Sequence, residues 1–313
     1  MAFDRTALKS GPAILTWNGG TMYFKNGLTA EDNYDTFDVN VDVFPGADKR
    51  RGSPLGLIKG TPSGQWKNLS VWFPWLSAAR GARLHGASDK AAVIYWLDGD
   101  IWTYHNAGLV DMPGLLLSTT KTILDGSIGL ECRTKNNTEP TAANSFVTRT
   151  AGSFSDTSFS WDEVPTQAYS HTWGSSPWDA WYTRDGVKIS AKAKWSEIPT
   201  DEYGVVEKEL DMLEVAAQFT PVGIAQSAID AKLALQNSAY AARGSRMAGI
   251  AEDFIMQGTG VYVAMRSAFL RKALAQSGTD GKGRHGEFEA VSTLGITTGA
   301  AVAQLYVGTE APA

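Results

Sequence analysis

A Thr-Pro-x-Gly motif occurs twice in this chain, at residues 61–64 and again at 220–223. Its two prolines are 159 residues apart, and at the same spacing "MYFKNGL" at 22–28 aligns with "WYTRDGV" at 181–187. Asn-Gly and Asp-Gly pairs favour type I′ hairpin turns, because both central residues need a positive φ. The sequence therefore predicts a duplication with equivalent turns in each copy. The defining residues are Asn26, Gly27, Thr61, Pro62, Gly64, Asp185, Gly186, Thr220, Pro221 and Gly223.

Two further alignments extend this duplication. "RGARL" at 80–84 matches "RGSRM" at 243–247 at a spacing of 163, and "DGSIGLE" at 125–131 faces "HGEFEAV" at 285–291 at a spacing of 160. The four-residue gain before the arginine motif is close to one helical turn. We therefore expect a helix before it in each copy.

The chain length of 313 residues also favours two domains. We predict a first repeat at 1–138, an extended Ser/Thr-rich linker at 139–169 and a second repeat at 170–313. The recurring aromatic residues of the linker suggest that it lies along a surface rather than free in solvent.

Alternation with a period of two predicts strands in both repeats. It is regular in "VKISAKAKW" at 187–195 and in "FDVNVDVF" at 37–44, and a strand is favoured over a helix at 204–219. An Ala- and Leu-rich segment at 224–243 predicts a helix that ends at Gly244. Its counterpart at 65–80 predicts a helix that Pro74 must kink or restart. The expected fold class is mainly β (α+β), with two tandem units that each carry one packed helix.

Charge and cysteine content restrict the function. The net charge is −5, which disfavours a sequence-independent DNA clamp, because such clamps need a net basic surface. Cys132 is the only cysteine, so no internal disulfide is expected. The first residues lack the apolar core of a signal peptide, and no run approaches the roughly 20 apolar residues of a membrane span. We expect an intracellular, soluble chain.

Motifs for catalysis or cofactor binding are missing from the sequence. The four histidines have no carboxylate or cysteine at ligand spacing, and "GTDGKGRHG" at 278–286 is interpreted as a loop rather than a phosphate site. No enzyme, cofactor or metal site is predicted. The face with Lys188, Lys192 and Lys194 is interpreted as the solvated side of a strand, with a nucleic-acid groove as the alternative.

The stretch from "YFKNGL" to "GLIKGTPSGQWKNLSVWFPW" resembles the tail tube proteins of long-tailed bacteriophages, and the second repeat echoes it. That resemblance implies β-sandwich or barrel units that close into rings, which stack into a conduit for double-stranded DNA. A chain with two copies resembles the tube proteins whose rings are trimers with pseudo-sixfold symmetry. It implies a virion tail location, synthesis in the bacterial cytoplasm, and partners among other copies and tail proteins (tape measure, terminator and baseplate). It implies no membrane partner, and DNA would pass without specific binding.

A conduit that must not grip DNA needs neutral or acidic lining residues. Candidates for a lumen-facing position are Asp38, Asp42, Glu207, Glu209 and Asp211; the alternative is that they lie on ordinary solvent faces. Candidates for contacts between subunits are Lys49, Arg50 and Arg51, expected in a loop, where they are either a solvated turn or the partners of an acidic neighbour. Their contrast with "KEL" at 208–210 suggests that charge decides which half of one subunit meets which half of the next.

Two alternative functions remain open on the sequence. The first is a distal tail or baseplate ring protein of the same fold. The second is a carbohydrate-binding β-sandwich, for which the expected aromatic platform is Trp102, Trp173, Trp178 and Trp181.

Overall fold

Strands make up most of the residues that the structure describes. The computed structural model describes residues 13–40, 47–62, 69–76, 78–86, 90–96, 99–118, 124–134, 145–152, 170–174, 178, 181–200, 204–225, 227–229, 232, 252–258, 261–273, 286–292, 296–297, 300–301, 304–308 and 310–311. Within strands, the side chains of 25–26, 34–40, 47–54 and a few end residues lie outside that description. The prediction of a mainly β fold is confirmed.

The strands fall into two series. The first is β1 (Ala13–Trp17), β2 (Gly20–Asn40), β3 (Ala47–Pro62), β4 (Ala92–Trp96), β5 (Asp100–Tyr104), β6 (Ala107–Asp111), β7 (Gly114–Leu117), β8 (Leu124–Asp125), β9 (Ile128–Cys132) and β10 (Val147–Ala151). The second is β11 (Ser170–Trp173), β12 (Tyr182–Thr200), β13 (Gly204–Val222), β14 (Glu252–Gly258), β15 (Val261–Ala273), β16 (Phe288–Ser292), β17 (Ile296–Thr297), β18 (Ala300–Ala301) and β19 (Leu305–Gly308). We call residues 13–134 the first unit and residues 170–308 the second unit.

Strand pairing in the first unit closes a circuit. In order, β5, β4, β1, β2, β3, β9 and β6 pair antiparallel with their neighbours. Only His105 and Asn106 separate the two end strands, β5 and β6, which therefore act as one bent strand. The sheet is thus a barrel with six strand positions.

The second unit closes in the same way. β11, β14, β15, β16, β13 and β12 pair in order, and a single bridge between His171 and Trp181 joins the last strand region back to β11. Here β15 alone takes the place of β5 and β6. Its bend falls at Ser267, whose positive φ of 48° matches the φ of 46° at Asn106, 161 residues earlier.

The two barrels also share their registers. In the long hairpins, Leu28↔Gly60 and Thr36↔Arg51 of the first unit correspond to Val187↔Phe219 and Trp195↔Leu210 of the second, at a spacing of 159. Other equivalent pairs are Ile58↔Leu130 with Ala217↔Ala290, Ala107↔Cys132 with Ala268↔Ser292, and Trp17↔Ala92 with Trp173↔Phe254. One topology and one set of pairings therefore occur twice in the chain.

The Asn-Gly and Asp-Gly pairs do not form the hairpin turns that the sequence predicted. Both lie inside long strands, at bulges where the register shifts between Phe24 and Leu28 and between Arg184 and Val187. A bulge needs the same positive φ as a tight turn, and the φ of Gly27 and of Gly186 is 88° and 87°. The tight two-residue turn lies elsewhere, at Asn18 and Gly19 between β1 and β2.

The cores are filled differently although the pairing is shared. In the second unit, Trp173 contacts Phe254 and Phe219 at ring centroid distances of 5.5 and 6.0 Å. Ala92 and Gly60 occupy the two phenylalanine positions in the first unit. The space is taken by Trp72, 5.7 Å from Trp17, and by Phe24, whose ring would lie 2.4 Å from a Cβ on Gly60. Both interiors are therefore packed with side chains, and neither barrel is itself a channel.

The helix prediction fails in the first unit. Within the described part of 65–80, the chain forms a 3-10 helix at Leu69–Trp72 and then turns, with bonds of i to i+3 type such as Phe73 N to Ser70 O. Pro74 cannot donate an N–H, so the predicted helix does not continue. In the second unit, residues 227–229 and 232 are helical, and Trp178 donates to Ala228 O at 3.3 Å. The rest of the helix predicted at 224–243 lies outside the described residues.

Both Thr-Pro pairs end a strand rather than open a helix directly. Pro62 is the last residue of β3 and Pro221 the second-last of β13, and Gly223 follows β13 with a φ of 79°, while Gly64 lies outside the described residues. The predicted linker includes β10, which pairs with β5. None of the helices in the described residues is both long and apolar enough to cross a membrane.

Candidate functional site

The two units meet along an extensive junction, which is the candidate site. Strand β7 leaves the first barrel and pairs antiparallel with β12 of the second, through Leu115↔Ile189 and Leu117↔Val187. These four side chains are buried, at 0–1 % exposure. The sheet of the second unit therefore continues directly into a strand from the first unit.

A pair of tryptophans packs beside this ladder. Trp75 and Trp195 meet edge to face with ring centroids 4.9 Å apart. Trp195 donates its indole N–H across the junction to Val110 O at 3.2 Å, and Trp75 donates within the first unit to the adjacent Leu109 O at 2.6 Å. Apolar contact and a hydrogen bond thus hold the two units together at this point.

A second backbone contact is made by the "RGARL" segment at 80–84. Gly81 N donates to Leu210 O at 2.8 Å, Leu210 N donates to Ala82 O at 2.9 Å, and Leu84 N donates to Lys208 O at 2.8 Å. Arg83 lies opposite Glu209 in this short ladder. The repeated arginine motif is therefore a strand-like clamp on the outer edge of β13.

Charges reinforce this clamp at its surface. The guanidinium of Arg80 lies 2.6 Å from Asp211 Oδ1, and Arg83 Nε lies 3.9 Å from Glu209 Oε1. Both pairs are largely exposed, so each stabilises by at most about 1 kcal/mol. These ion pairs therefore favour the correct pairing of the two surfaces but add little to the free energy that holds them together.

A buried ionic cluster lies beneath the clamp. His85 Nδ1 is 2.9 Å from Glu207 Oε1, and His85 Nε2 is 3.2 Å from the carbonyl oxygen of Glu131. The Glu131 carboxylate accepts from Lys208 Nζ at 2.6 Å and from Arg133 at 2.7 Å. Both ring nitrogens of His85 therefore lie against oxygen atoms. The cluster joins residues of both units.

The carboxylates of the cluster favour their ionised forms. Burial by itself would raise the pKa of Glu131, but the Lys208 hydrogen bond and the charges of Arg133, Lys208 and His85 outweigh it and lower the pKa. Burial likewise opposes ionisation of Glu207, yet hydrogen bonds from His85 and from the Lys208 backbone lower its pKa. The junction is therefore built around charged carboxylates.

This geometry corrects the predicted lumen lining at Glu207, and the prediction for the other four residues stays untested. Glu207 is buried at 8 % exposure, so it does not line a solvent channel. Glu209 and Asp211 face arginines of the first unit at the junction. The Asp38 backbone pairs with Lys49, while its side chain and the whole of Asp42 lie outside the described residues.

The basic cluster at 49–51 lies in a strand and not in the expected loop. Lys49, Arg50 and Arg51 pair with Asp38, Phe37 and Thr36 of β2. A register shift between Tyr34 and Thr36 accommodates Gly52 and Pro54, two of the residues that suggested a loop, while Pro45 and Gly46 lie outside the described residues. Under the 159-residue spacing, this cluster is equivalent to residues 208–210 of β13. On β12, Lys188, Lys192 and Lys194 are exposed, as predicted.

The tryptophan platform proposed for sugar binding does not exist. Trp173, Trp178 and Trp181 are 1–3 % exposed and belong to the core. Trp102 packs edge-on against Trp96 at 5.2 Å and beneath the guanidinium of Arg149 at 4.6 Å. A sugar ring has no open aromatic face among these four residues.

Sequence reasoning missed the buried cluster. The acidic partner of His85, Glu207, lies 122 positions away in the chain. His171 is buried, which lowers its pKa, and His285 lies outside the described residues. Within the described part of the chain, no group of three potential ligands could hold a metal ion. The repeated arginine motif at 80–84 was the one sequence feature that pointed to the segment next to His85.

Comparison with protein-family models finds no match, and comparison with curated proteins finds none of significance.

Proposed function

We propose that this chain is a structural virion protein whose copies join head to tail into rings of three, with six barrel units and pseudo-sixfold symmetry per ring. Stacked rings form the tail tube of a bacteriophage, through which double-stranded DNA is ejected. The protein is made in the bacterial cytoplasm and functions in the virion.

The observation that carries this proposal is the junction between two barrels of one topology. The first unit contributes β7 and residues 80–84, whereas the second contributes the outer edges of β12 and β13. Two equivalent units thus meet through different surfaces, which makes the junction heterologous. A heterologous contact leaves one unused surface of each kind and generates closed rings or open filaments.

The strand edges support the same conclusion. An unpaired edge invites pairing with another chain, and closure into a ring removes it. The charge of the chain fits a conduit that does not bind its cargo, because a net charge of −5 gives little attraction to phosphates.

Electron microscopy of the purified full-length protein tests the proposal. The expected particle is a ring or tube with threefold symmetry and six similar lobes. Long tubes support the tail tube, whereas single rings that do not stack support a distal tail or baseplate ring. A protein that remains monomeric at high concentration would contradict both.

A further inference from the structure

The second unit uses two strand edges to receive the first unit. The outer edge of β12 at 187–189 receives β7, and the outer edge of β13 at 208–210 receives residues 80–84. The shared register places the equivalent edges of the first unit at 28–30 in β2 and at 49–51 in β3. Among the described residues, no strand pairs with either of these edges: β3 pairs with β9 only at Gly56–Gly60.

We propose that the open edge of β3 at residues 49–51 is the docking surface for a second copy of this chain. The arriving copy presents its segment 243–247, "RGSRM", as the first unit presents "RGARL" within the chain. Segment 243–247 lies outside the described residues. This inference rests on the proposed ring and names the contact that would close it.

Backbone geometry specifies the contact. In the junction, Leu210 N–H and C=O and the Lys208 C=O face outward and bind the clamp. The equivalent groups are the N–H and C=O of Arg51 and the C=O of Lys49. They would bind the backbone of residues 244–247, and Arg50 would lie opposite Arg246, as Glu209 lies opposite Arg83.

The charges differ between the two contacts. Within the chain, Arg83 faces Glu209 and Arg80 faces Asp211. Between chains, Arg246 would face Arg50, and Arg243 would face Gly52 where Asp211 stands. Like charges directly opposite across strands are destabilising. Backbone hydrogen bonds therefore specify the contact between chains, while the repulsion between the arginines weakens it. Salt screens this repulsion, so association between chains should become stronger as the salt concentration rises. The sequence alone suggested that residues 49–51 could attract an acidic neighbour, whereas this contact places Arg50 opposite another arginine.

Engineered disulfides test the proposed contact between residues 50 and 246 directly. Opposed residues at a non-hydrogen-bonded strand position lie close enough to form a disulfide. The variant Arg50→Cys/Arg246→Cys should give, after mild oxidation, a ladder on non-reducing gels that ends at a covalently closed trimer. The matched control Arg83→Cys/Glu209→Cys should stay monomeric, because its bond is internal. Each single variant should give at most dimers, and the buried Cys132 does not interfere.

Charge reversal tests the electrostatic part. Arg50→Glu should recreate the Arg83–Glu209 arrangement between chains and strengthen association about fivefold in low-salt sedimentation equilibrium. Lys90→Glu, an equal change of charge away from the open edge, should not strengthen it. Unchanged or weaker association of Arg50→Glu would overturn the assigned contact.

The outcomes separate this inference from the proposed function. Rings in the electron microscope without a cysteine ladder would overturn the docking surface and leave the structural role intact. A monomer that gives neither rings nor a ladder would overturn both.

Discussion

Single side chains at the junction decide how the two units respond to pH. Burial by itself would raise the pKa values of Glu131 and Glu207, but the hydrogen bonds that their carboxylates accept, together with nearby charge, outweigh it and lower both values. A carboxylate with a lowered folded-state pKa stabilises the fold above its unfolded-state pKa and loses that contribution as pH falls through the folded value. We therefore expect acid to weaken the junction, and urea unfolding should show a lower free energy of unfolding at pH 3 than at pH 7.

Glu131→Gln isolates this effect. It removes the charge that Lys208 and Arg133 share, so at pH 7 it should cost roughly 3 kcal/mol. The variant should also lose less stability than the wild type on acidification. The control Glu209→Gln removes an exposed partner and should cost less than about 1 kcal/mol. Equal losses in the two variants would show that the buried cluster does not hold the junction.

The reactivity of the Cys132 thiol gives an independent measure of whether the first barrel is folded. The thiol is fully buried, and burial followed by the nearby Glu131 and Asp32 charges raises its pKa well above the ordinary value. We expect a thiol reagent to modify it only when the first barrel opens. The rate of modification at pH 8 should therefore follow the unfolded fraction through a urea titration, and rapid reaction in native buffer would contradict the burial.

Two bulges at equivalent places allow a matched test on the strands. Gly27 and Gly186 share a positive φ, but a Cβ on Gly186 would lie 2.4 Å from Leu117 O, whereas one on Gly27 meets nothing within 4 Å. Gly27→Ala should cost about 1 kcal/mol from backbone strain. Gly186→Ala should cost roughly 1 to 3 kcal/mol more, because it also displaces β7. Chemical denaturation of both variants measures the difference.

The strands were predictable because their side chains alternate with a local period. That rule identified the central part of β12 and the start of 37–44 within β2. Residues 204–219 were ambiguous between the two periods, and the hairpin context and the following proline favoured the strand that became β13. It could not distinguish a bulge from a turn at Asp185 and Gly186, since both need the same φ. Nor could local spacing reveal that β7 pairs with the other unit or that His85 meets Glu207, because those contacts depend on the three-dimensional arrangement of the chain.

One continuous hydrophobic cluster runs through both barrels and the junction. Two domains of this size would ordinarily unfold in separate steps. Here the β7–β12 ladder and the Trp75–Trp195 contact couple them, so we expect one cooperative calorimetric transition in the wild type.

Trp195→Ala should break this coupling. It removes the edge-to-face contact with Trp75 and the hydrogen bond to Val110, so one barrel can open while the other stays folded. Differential scanning calorimetry should then show a ratio of calorimetric to van't Hoff enthalpy above one. Trp102→Ala is the control, since this half-buried tryptophan contacts Trp96 inside the first unit: it should lower Tm without splitting the transition. If both variants still melt in a single step, cooperativity arises within the barrels, and the junction could not transmit strain around a ring.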